Sequence, residues 1–185
     1  MGRVLIIHST VDGHTRHIAE RMRASILARG HEVIVMALGD CGPDDLARCD
    51  SVVIGAAIRY GRHRPEVAAF IARHQVALEA RPNAFFSVNV VARKPGKDRP
   101  ETNPYLIKFL ASIAWQPQRL EVFAGRIDYP RYRFVERQMI RLIMWLTQGP
   151  TDVNKVVEFT DWSRVDALAT AIALAVDGLP SARGC

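Results

Sequence analysis

The sequence lacks the signatures of several common protein classes. Its 185 residues include three cysteines, and no two of them have the CxxC spacing of a redox or zinc motif. We therefore expect reduced thiols, as in a cytosolic protein, with Cys49 as a small core residue. The six histidines show no metal-ligand spacing, and no Ser-His-Asp or Cys-His set is apparent. The sequence thus favours neither a metal centre nor nucleophilic catalysis.

Long apolar runs, internal repeats and low-complexity linkers are also absent. The longest uncharged apolar run, from Ala167 to Val176, is too short to cross a bilayer. A strand is predicted to begin almost at Arg3, so we expect no signal peptide. The length favours one domain, which we place at residues 1–178, with a tail at 179–185.

The composition is that of a soluble globular protein with a basic balance. Hydrophobic residues make up 49% of the chain and charged residues 24%, while the formal net charge is +6. A positive net charge favours an anionic partner, which at this point is nucleic acid, an anionic lipid or an acidic substrate.

The stretch from Val4 to Thr15 has the pattern of a strand followed by a phosphate-binding loop. Four apolar residues predict a buried parallel strand, and Ile18, Met22 and Ile26 then mark one face of a helix. Free backbone N–H groups at the start of a helix, together with the helix dipole, favour an anion there. The loop has one glycine and no lysine before Thr15, so it is neither a nucleotide P-loop nor a dinucleotide fingerprint.

A loop of hydroxyl and N–H donors without a cation suits the phosphate of flavin mononucleotide (FMN). The alternative is an ordinary strand-to-helix turn that is capped by Thr or Asp. The candidate phosphate-binding residues are Ser9, Thr10, Val11, Asp12, Gly13, His14 and Thr15.

Strands and helices alternate along the chain, which predicts an α/β fold with a doubly wound, five-stranded parallel sheet. After the first strand, further strands are predicted at 32–38, 50–57, 83–91 and 120–125, and helices at 66–78, 102–114 and from 161 or 162 to about 176. Ligands of such sheets bind at the carboxyl ends of the strands. Three loops meet there: the first loop, the segment Ile58–Gly61 and the segment Asn89–Pro95. The alternative for the second and third is exposed, solvated turns.

A long insert, residues 126–160, separates the fifth strand from the last helix. Within it, residues 134–146 predict a basic amphipathic helix, with Arg133, Arg137 and Arg141 four apart on one stripe and apolar residues such as Trp145 beside them. Such a helix suits a membrane interface, a nucleic-acid surface, or packing on the domain with solvated arginines. The run 156–159 is a candidate second piece of the fifth strand.

The motifs together resemble the flavodoxin-like, menaquinone-dependent protoporphyrinogen IX dehydrogenases, which are bacterial protoporphyrinogen oxidases. The resemblance covers nearly the whole chain and departs from the general flavodoxin signature at His8 and Met22. The segments that carry it are Ser9-Thr10, Asp12-Gly13, Thr15-Arg16, Ile58–Gly61, Ser87–Asn89, Val91–Pro95, Tyr129–Arg133 and Thr160–Trp162.

The resemblance implies a flavodoxin-like sheet of order 2-1-3-4-5 and an FMN enzyme. It implies oxidation of protoporphyrinogen IX, with electrons passed to menaquinone or ubiquinone in the membrane. The residues expected around the flavin ring are Ile58, Arg59, Tyr60, Gly61, Asn89, Val90, Val91, Ala92 and Arg93. The residues expected to contact substrate or membrane are Tyr129, Arg131, Tyr132, Arg133, Arg137 and Arg141.

The expected location is the cytoplasm, with peripheral attachment to the anionic inner face of the cell membrane and no nucleic-acid partner. The sequence names no catalytic base, and it leaves the oligomeric state open, with a homo-oligomer among the options. The alternatives are a carrier flavodoxin, which is usually acidic, a soluble NAD(P)H:quinone reductase, and a non-catalytic module that binds through the arginine-rich insert.

Overall fold

The computed structural model describes residues 1–131, 134–146, 152 and 155–179. The strands are β1 (Arg3–Ser9), β2 (Glu32–Ala37), β3 (Ser51–Arg59), β4 (Arg62–His63), β5 (Asn83–Asn89), β6 (Arg119–Ala124), β7 (Arg126–Asp128) and β8 (Val156–Glu158). The helices are α1 (His14–Leu27), α2 (Pro43–Ala47), α3 (Pro65–Glu79), α4 (Pro104–Leu110), α5 (Phe134–Leu146) and α6 (Trp162–Asp177). Most of the predicted tail, from residue 180 onward, lies outside the described residues.

The main sheet confirms the predicted topology. Its parallel strands follow the order β2-β1-β3-β5-β6. This is the expected 2-1-3-4-5 order, because the fourth and fifth strands predicted from the sequence are β5 and β6. The additional strand β4 contains two residues and pairs antiparallel with β3.

Helices cover both faces of the sheet, so its central strands are buried on both sides. On one face, Ile18, Met22 and Ile26 of α1 are buried as predicted and share an apolar cluster with Val165 and Ile172 of α6. The other face packs against α3 and α4. The continuous apolar run of β1 follows directly from this double burial.

Some strands and helices have other bounds than the sequence predicted, and polar side chains explain two of these differences. Strand β5 ends at Asn89, two residues early, because its Oδ1 accepts the Ala92 N–H (3.0 Å) and starts a 3-10 turn. Helix α4 begins two residues later than predicted because Asn103 Oδ1 accepts the N–H groups of Tyr105 and Leu106 and caps the helix just before Pro104, and it ends at Leu110, four residues early. Helix α2 and strand β4 were not predicted at all.

The insert forms its own small layer beside the main sheet. Strand β7 pairs antiparallel with β8, with Asp128 opposite Val156. The prediction that residues 156–159 rejoin the fifth strand is therefore wrong, because their partner is the start of the insert. Ile127, Tyr129 and Met144 of α5 form a third apolar cluster. Among the described helices, none is long and apolar enough to cross a membrane.

Candidate functional site

A cleft of about 250 Å³ opens at the carboxyl ends of β1, β3 and β5. The loop after β1, the β3–β4 turn and the segment after β5 form three of its walls, as the sequence predicted. The insert forms the fourth wall. This is the edge of the sheet where doubly wound folds bind ligands.

The loop after β1 presents an open helix N-terminus to the cleft. Gly13 has φ +83°, and its N–H donates to Thr10 Oγ1 (3.0 Å), which shapes the loop. Helix α1 then begins at His14 without a side-chain cap and without an acidic residue in its first turn. Thr15 Oγ1 is buried and has no hydrogen-bond partner among the described residues. A buried hydroxyl without a partner, at a helix N-terminus, fits a phosphate.

Most of the candidate phosphate-binding residues reach the cleft. The lining members are Thr10, Val11, Asp12, His14 and Thr15. Ser9 is buried at the end of β1, and Gly13 contributes a backbone turn. The Asp12 carboxylate is 3.2 Å from the Arg59 guanidinium, and this ion pair offsets the negative charge that Asp12 places near the phosphate loop.

His14 connects the phosphate loop to the end of the insert. The Thr160 hydroxyl donates to the Ala124 carbonyl (2.8 Å), so it accepts from His14 Nε2, which is 2.7 Å away. His14 Nδ1 is buried and has no partner among the described residues. Burial lowers the pKa of His14 to about 4, so the ring is neutral at pH 7.

The β3–β4 turn places an aromatic ring beside the cleft. Tyr60 (φ +50°) and Gly61 (φ +77°) are both left-handed, which is the geometry of a two-residue type I′ hairpin. A bulky residue is rarely found there, so the turn holds Tyr60 at a conformational cost. Tyr60 is 72% exposed, and the Arg59 guanidinium lies 5.4 Å from the centre of its ring.

The third wall consists of Asn89, Val90 and Val91. Asn89 is fixed by a buried polar network, because its Oδ1 also accepts from Asn103 Nδ2 (3.3 Å) and its Nδ2 lies 3.5 Å from Ser87 Oγ. His63 Nε2 lies 3.0 Å from the same Ser87 hydroxyl. The network holds the Asn89 side chain in one orientation at the cleft.

Ala92 and Arg93, which were predicted to lie around the flavin ring, do not line the cleft. They line a separate depression beside α6, where the Arg93 guanidinium donates to the Val90 carbonyl (3.2 Å) and lies 5.9 Å from the centre of the Phe159 ring. The turn that begins at Asn89 directs the chain away from the cleft. The structure thus gives no support to cleft contacts by these two side chains.

The buried His63 makes stability depend on pH. Burial lowers the pKa of His63 to about 4, against about 6.5 in an unfolded chain. Between these two values only the unfolded state binds the proton, so the folded state loses stability as the pH falls from about 6.5 to about 4. From pH 7 to pH 4.5, we expect the unfolding free energy of the wild type to fall by about 2–3 kcal/mol more than that of His63→Gln. Urea denaturation at the two pH values measures this. The exposed His17, changed to Gln, is the control, and an equal pH dependence in wild type and His63→Gln would contradict the assignment.

The insert contributes residues that the sequence did not assign to the site. The β7 residues and three apolar side chains of α5, Met139, Ile140 and Met144, line the cleft, as does Gly125 just before the insert. Ala57, Val88 and Tyr105 complete it. Only the length of the insert and the apolar residues of its helix signalled such a role.

The predicted substrate or membrane contacts divide into three groups. Tyr129 is fully buried in the core of the insert, so its side chain does not offer the predicted contact with substrate or membrane. Arg137 is half-buried and Arg141 exposed, so the two do not share one solvated stripe. Tyr132, Arg133 and the Arg131 side chain lie outside the described residues.

Comparison with known proteins agrees with this geometry. A family model described as a flavodoxin domain matches residues 5–154. A protoporphyrinogen IX dehydrogenase [quinone] of Escherichia coli strain K12 is 42% identical over 175 residues, which are 95% of this chain and 97% of the relative. A Leishmania major protein of the same name is 40% identical over 97% of this chain and 80% of its own length.

Solved structures show the same fold at low identity. A flavodoxin from Pseudomonas aeruginosa superposes with a TM-score of 0.55 at 11% identity, covering 95% of this chain and 99% of that one. A short-chain flavodoxin associated with a bacterial microcompartment gives 0.57 at 11% identity and the same coverage. These matches imply a flavin cofactor, and the chain belongs to the flavodoxin family, together with the relatives named protoporphyrinogen IX dehydrogenase [quinone].

Proposed function

We propose that this protein oxidises protoporphyrinogen IX to protoporphyrin IX and passes the electrons to a membrane quinone, with FMN as cofactor. The observation that carries the proposal is the identity of 40–42% to proteins of that name along nearly the whole chain, insert included. The geometry supports it, because the insert adds an apolar wall to the flavin cleft.

The phosphate of FMN fits the loop after β1. Thr10, Thr15 and the N–H groups at the start of α1 are the donors, and the Asp12–Arg59 ion pair lies beside them. The flavin ring fits between Tyr60 and the segment Asn89–Val91, with Ile58 at the end of β3 and Gly61 in the adjoining turn. FMN supplies the hydride acceptor, and the protein's contribution is positioning and electrostatics.

The cleft walls suit an apolar macrocycle more than acid–base chemistry. Asp12 is paired with Arg59, Asp128 is paired with Arg126 (3.3 Å), and His14 is neutral, so these groups are engaged or uncharged. Met139, Ile140 and Met144 offer an apolar surface that excludes water next to the flavin. We accordingly assign the side chains of the cleft to binding and orientation.

We propose further that α5 attaches the protein reversibly to the cytoplasmic face of an anionic membrane, where menaquinone or ubiquinone is found. Phe134, Leu142 and Trp145 are exposed at spacings that share one face of the helix, and Arg141 lies on the same face. Exposed aromatic and aliphatic side chains beside a cation suit a headgroup interface.

Anaerobic mixing of the purified protein with protoporphyrinogen IX tests the activity. We expect the flavin absorbance to bleach while porphyrin fluorescence appears, and added quinone to restore the flavin. A carrier flavodoxin would show neither change, and an NAD(P)H:quinone reductase would bleach with NAD(P)H instead. Absence of bound flavin would contradict the proposal outright.

A further inference from the structure

A second groove, of about 420 Å³, adjoins the flavin cleft. The two share Thr10, Val11, Arg59 and Tyr60 as a common wall, so a ligand that lies over the cleft reaches the groove across the Tyr60 ring. The far side of the groove belongs to β4 and the residues after it. None of the contacts proposed above uses that far side.

The groove carries an excess of positive charge. Arg59 and Arg62 are directly opposite in the β3–β4 ladder, an arrangement in which like charges repel. Arg59 is paired with Asp12, and Arg64 is paired with Glu66 (2.9 Å). For Arg62, no carboxylate of the described residues lies within ion-pair distance. An anion in the groove would relieve this repulsion.

The hairpin holds these cations firmly. The two-residue turn fixes the pairing of Arg59 with Arg62, and His63 points inward to Ser87 (3.0 Å). Because side chains alternate along a strand, Arg62 and Arg64 both point outward, on the side of the groove. An arginine on a fixed hairpin loses less conformational freedom on binding than one on a mobile loop.

We infer that Arg62, assisted by Arg64, binds a carboxylate of the substrate. The inference rests on the proposed function, whose substrate carries two propionates on an apolar macrocycle. A guanidinium binds a carboxylate through two parallel hydrogen bonds, which fixes orientation as well as position. With the macrocycle against the cleft, one propionate lies across Tyr60 in the groove, and this contact contributes to substrate affinity.

The chemistry that Arg62 recognises is an oxyanion, which could also come from the FMN phosphate or from a lipid phosphate. The experiment therefore compares Arg62→Gln and Arg64→Gln with Arg73→Gln, which changes an exposed arginine of α3. Each variant is assayed with protoporphyrinogen IX and with its dimethyl ester, using a soluble quinone in detergent. FMN affinity, vesicle binding and melting temperature are measured in parallel.

We expect Arg62→Gln to raise KM for the diacid about tenfold or more while kcat stays within about twofold, since a charge-assisted hydrogen bond is lost. Arg64→Gln should have a smaller effect in the same direction. The dimethyl ester should be oxidised equally by wild type and all variants, and Arg73→Gln should match wild type throughout.

Several outcomes overturn the inference. Equal losses with diacid and ester would show that Arg62 does not act on the carboxylate. Weaker FMN binding in Arg62→Gln would assign the arginine to the cofactor phosphate, and weaker vesicle binding would assign it to lipid. A wild type that oxidises both substrates with the same KM refutes the carboxylate contact while the proposed function stands. A wild type that oxidises neither refutes both.

Discussion

Replacing Thr10 and Thr15 together by Ala is expected to weaken FMN binding by about 2–4 kcal/mol, which is roughly 30- to 900-fold in Kd. Thr15 Oγ1 is buried without a partner among the described residues, so in the free protein its hydroxyl is already desolvated and available. Thr10 Oγ1 accepts the Gly13 N–H, so its loss also releases the loop. Fluorescence titration of the apoprotein with FMN measures the change.

The matched control is Thr10→Ser with Thr15→Ser, which keeps both hydroxyl groups and removes only methyl groups. We expect it to bind FMN within a few-fold of wild type. If the double Ala variant keeps wild-type affinity and an unchanged melting temperature, then the loop after β1 is only a strand-to-helix turn and the phosphate lies elsewhere.

Replacing Leu142 and Trp145 together by Gln is expected to reduce binding to anionic vesicles at least about tenfold, because two large apolar side chains no longer enter the interface. Both are exposed, Trp145 to 69%, so the change removes little internal packing. Sedimentation with vesicles of mixed phosphatidylcholine and phosphatidylglycerol measures it. Activity with quinone embedded in those vesicles should fall in parallel, while FMN affinity stays unchanged.

Leu174→Gln is the control for this variant, since Leu174 is an equally exposed leucine on α6. It should bind vesicles as wild type does. Arg141→Gln should lower vesicle affinity by about 1 kcal/mol, an effect that high salt removes by screening. If vesicle binding is the same for wild type and the Leu142/Trp145 variant, α5 serves only to cover the cleft.

The order of the parallel strands could be predicted from the sequence, because these strands and the helices between them have strong periodic patterns. The apolar run of β1 and the spacing of Ile18, Met22 and Ile26 in α1 admit few interpretations, and both predictions are confirmed. The element ends depended on side-chain hydrogen bonds such as those of Asn89 and Asn103. Residue propensities do not reveal such bonds, because asparagine also occurs frequently in exposed loops and turns.

The residues of the candidate site also fall into a predictable and an unpredictable group. The phosphate loop and the Ile58–Gly61 segment could be found because short motifs follow predicted strands. Arg126, Asp128 and the α5 side chains could not, because a tertiary contact between the insert and the cleft places them there. Tyr129 shows the reverse error: it was predicted to contact substrate or membrane, yet its side chain is fully buried in the core of the insert.

The pairing of β7 with β8 has a consequence for how this part of the protein can change in length. Asp128 and Val156 face each other, so the residues between them leave and return at one point of the fold. The entropy of closing a loop grows slowly with its length, by about 0.6 kcal/mol for each doubling. Additions to this segment, or deletions that spare its ends, therefore cost little in closure entropy. The main sheet can thus stay the same while the segment between β7 and β8 differs in length. The β7–β8 pair marks the point at which one such segment can be exchanged for another.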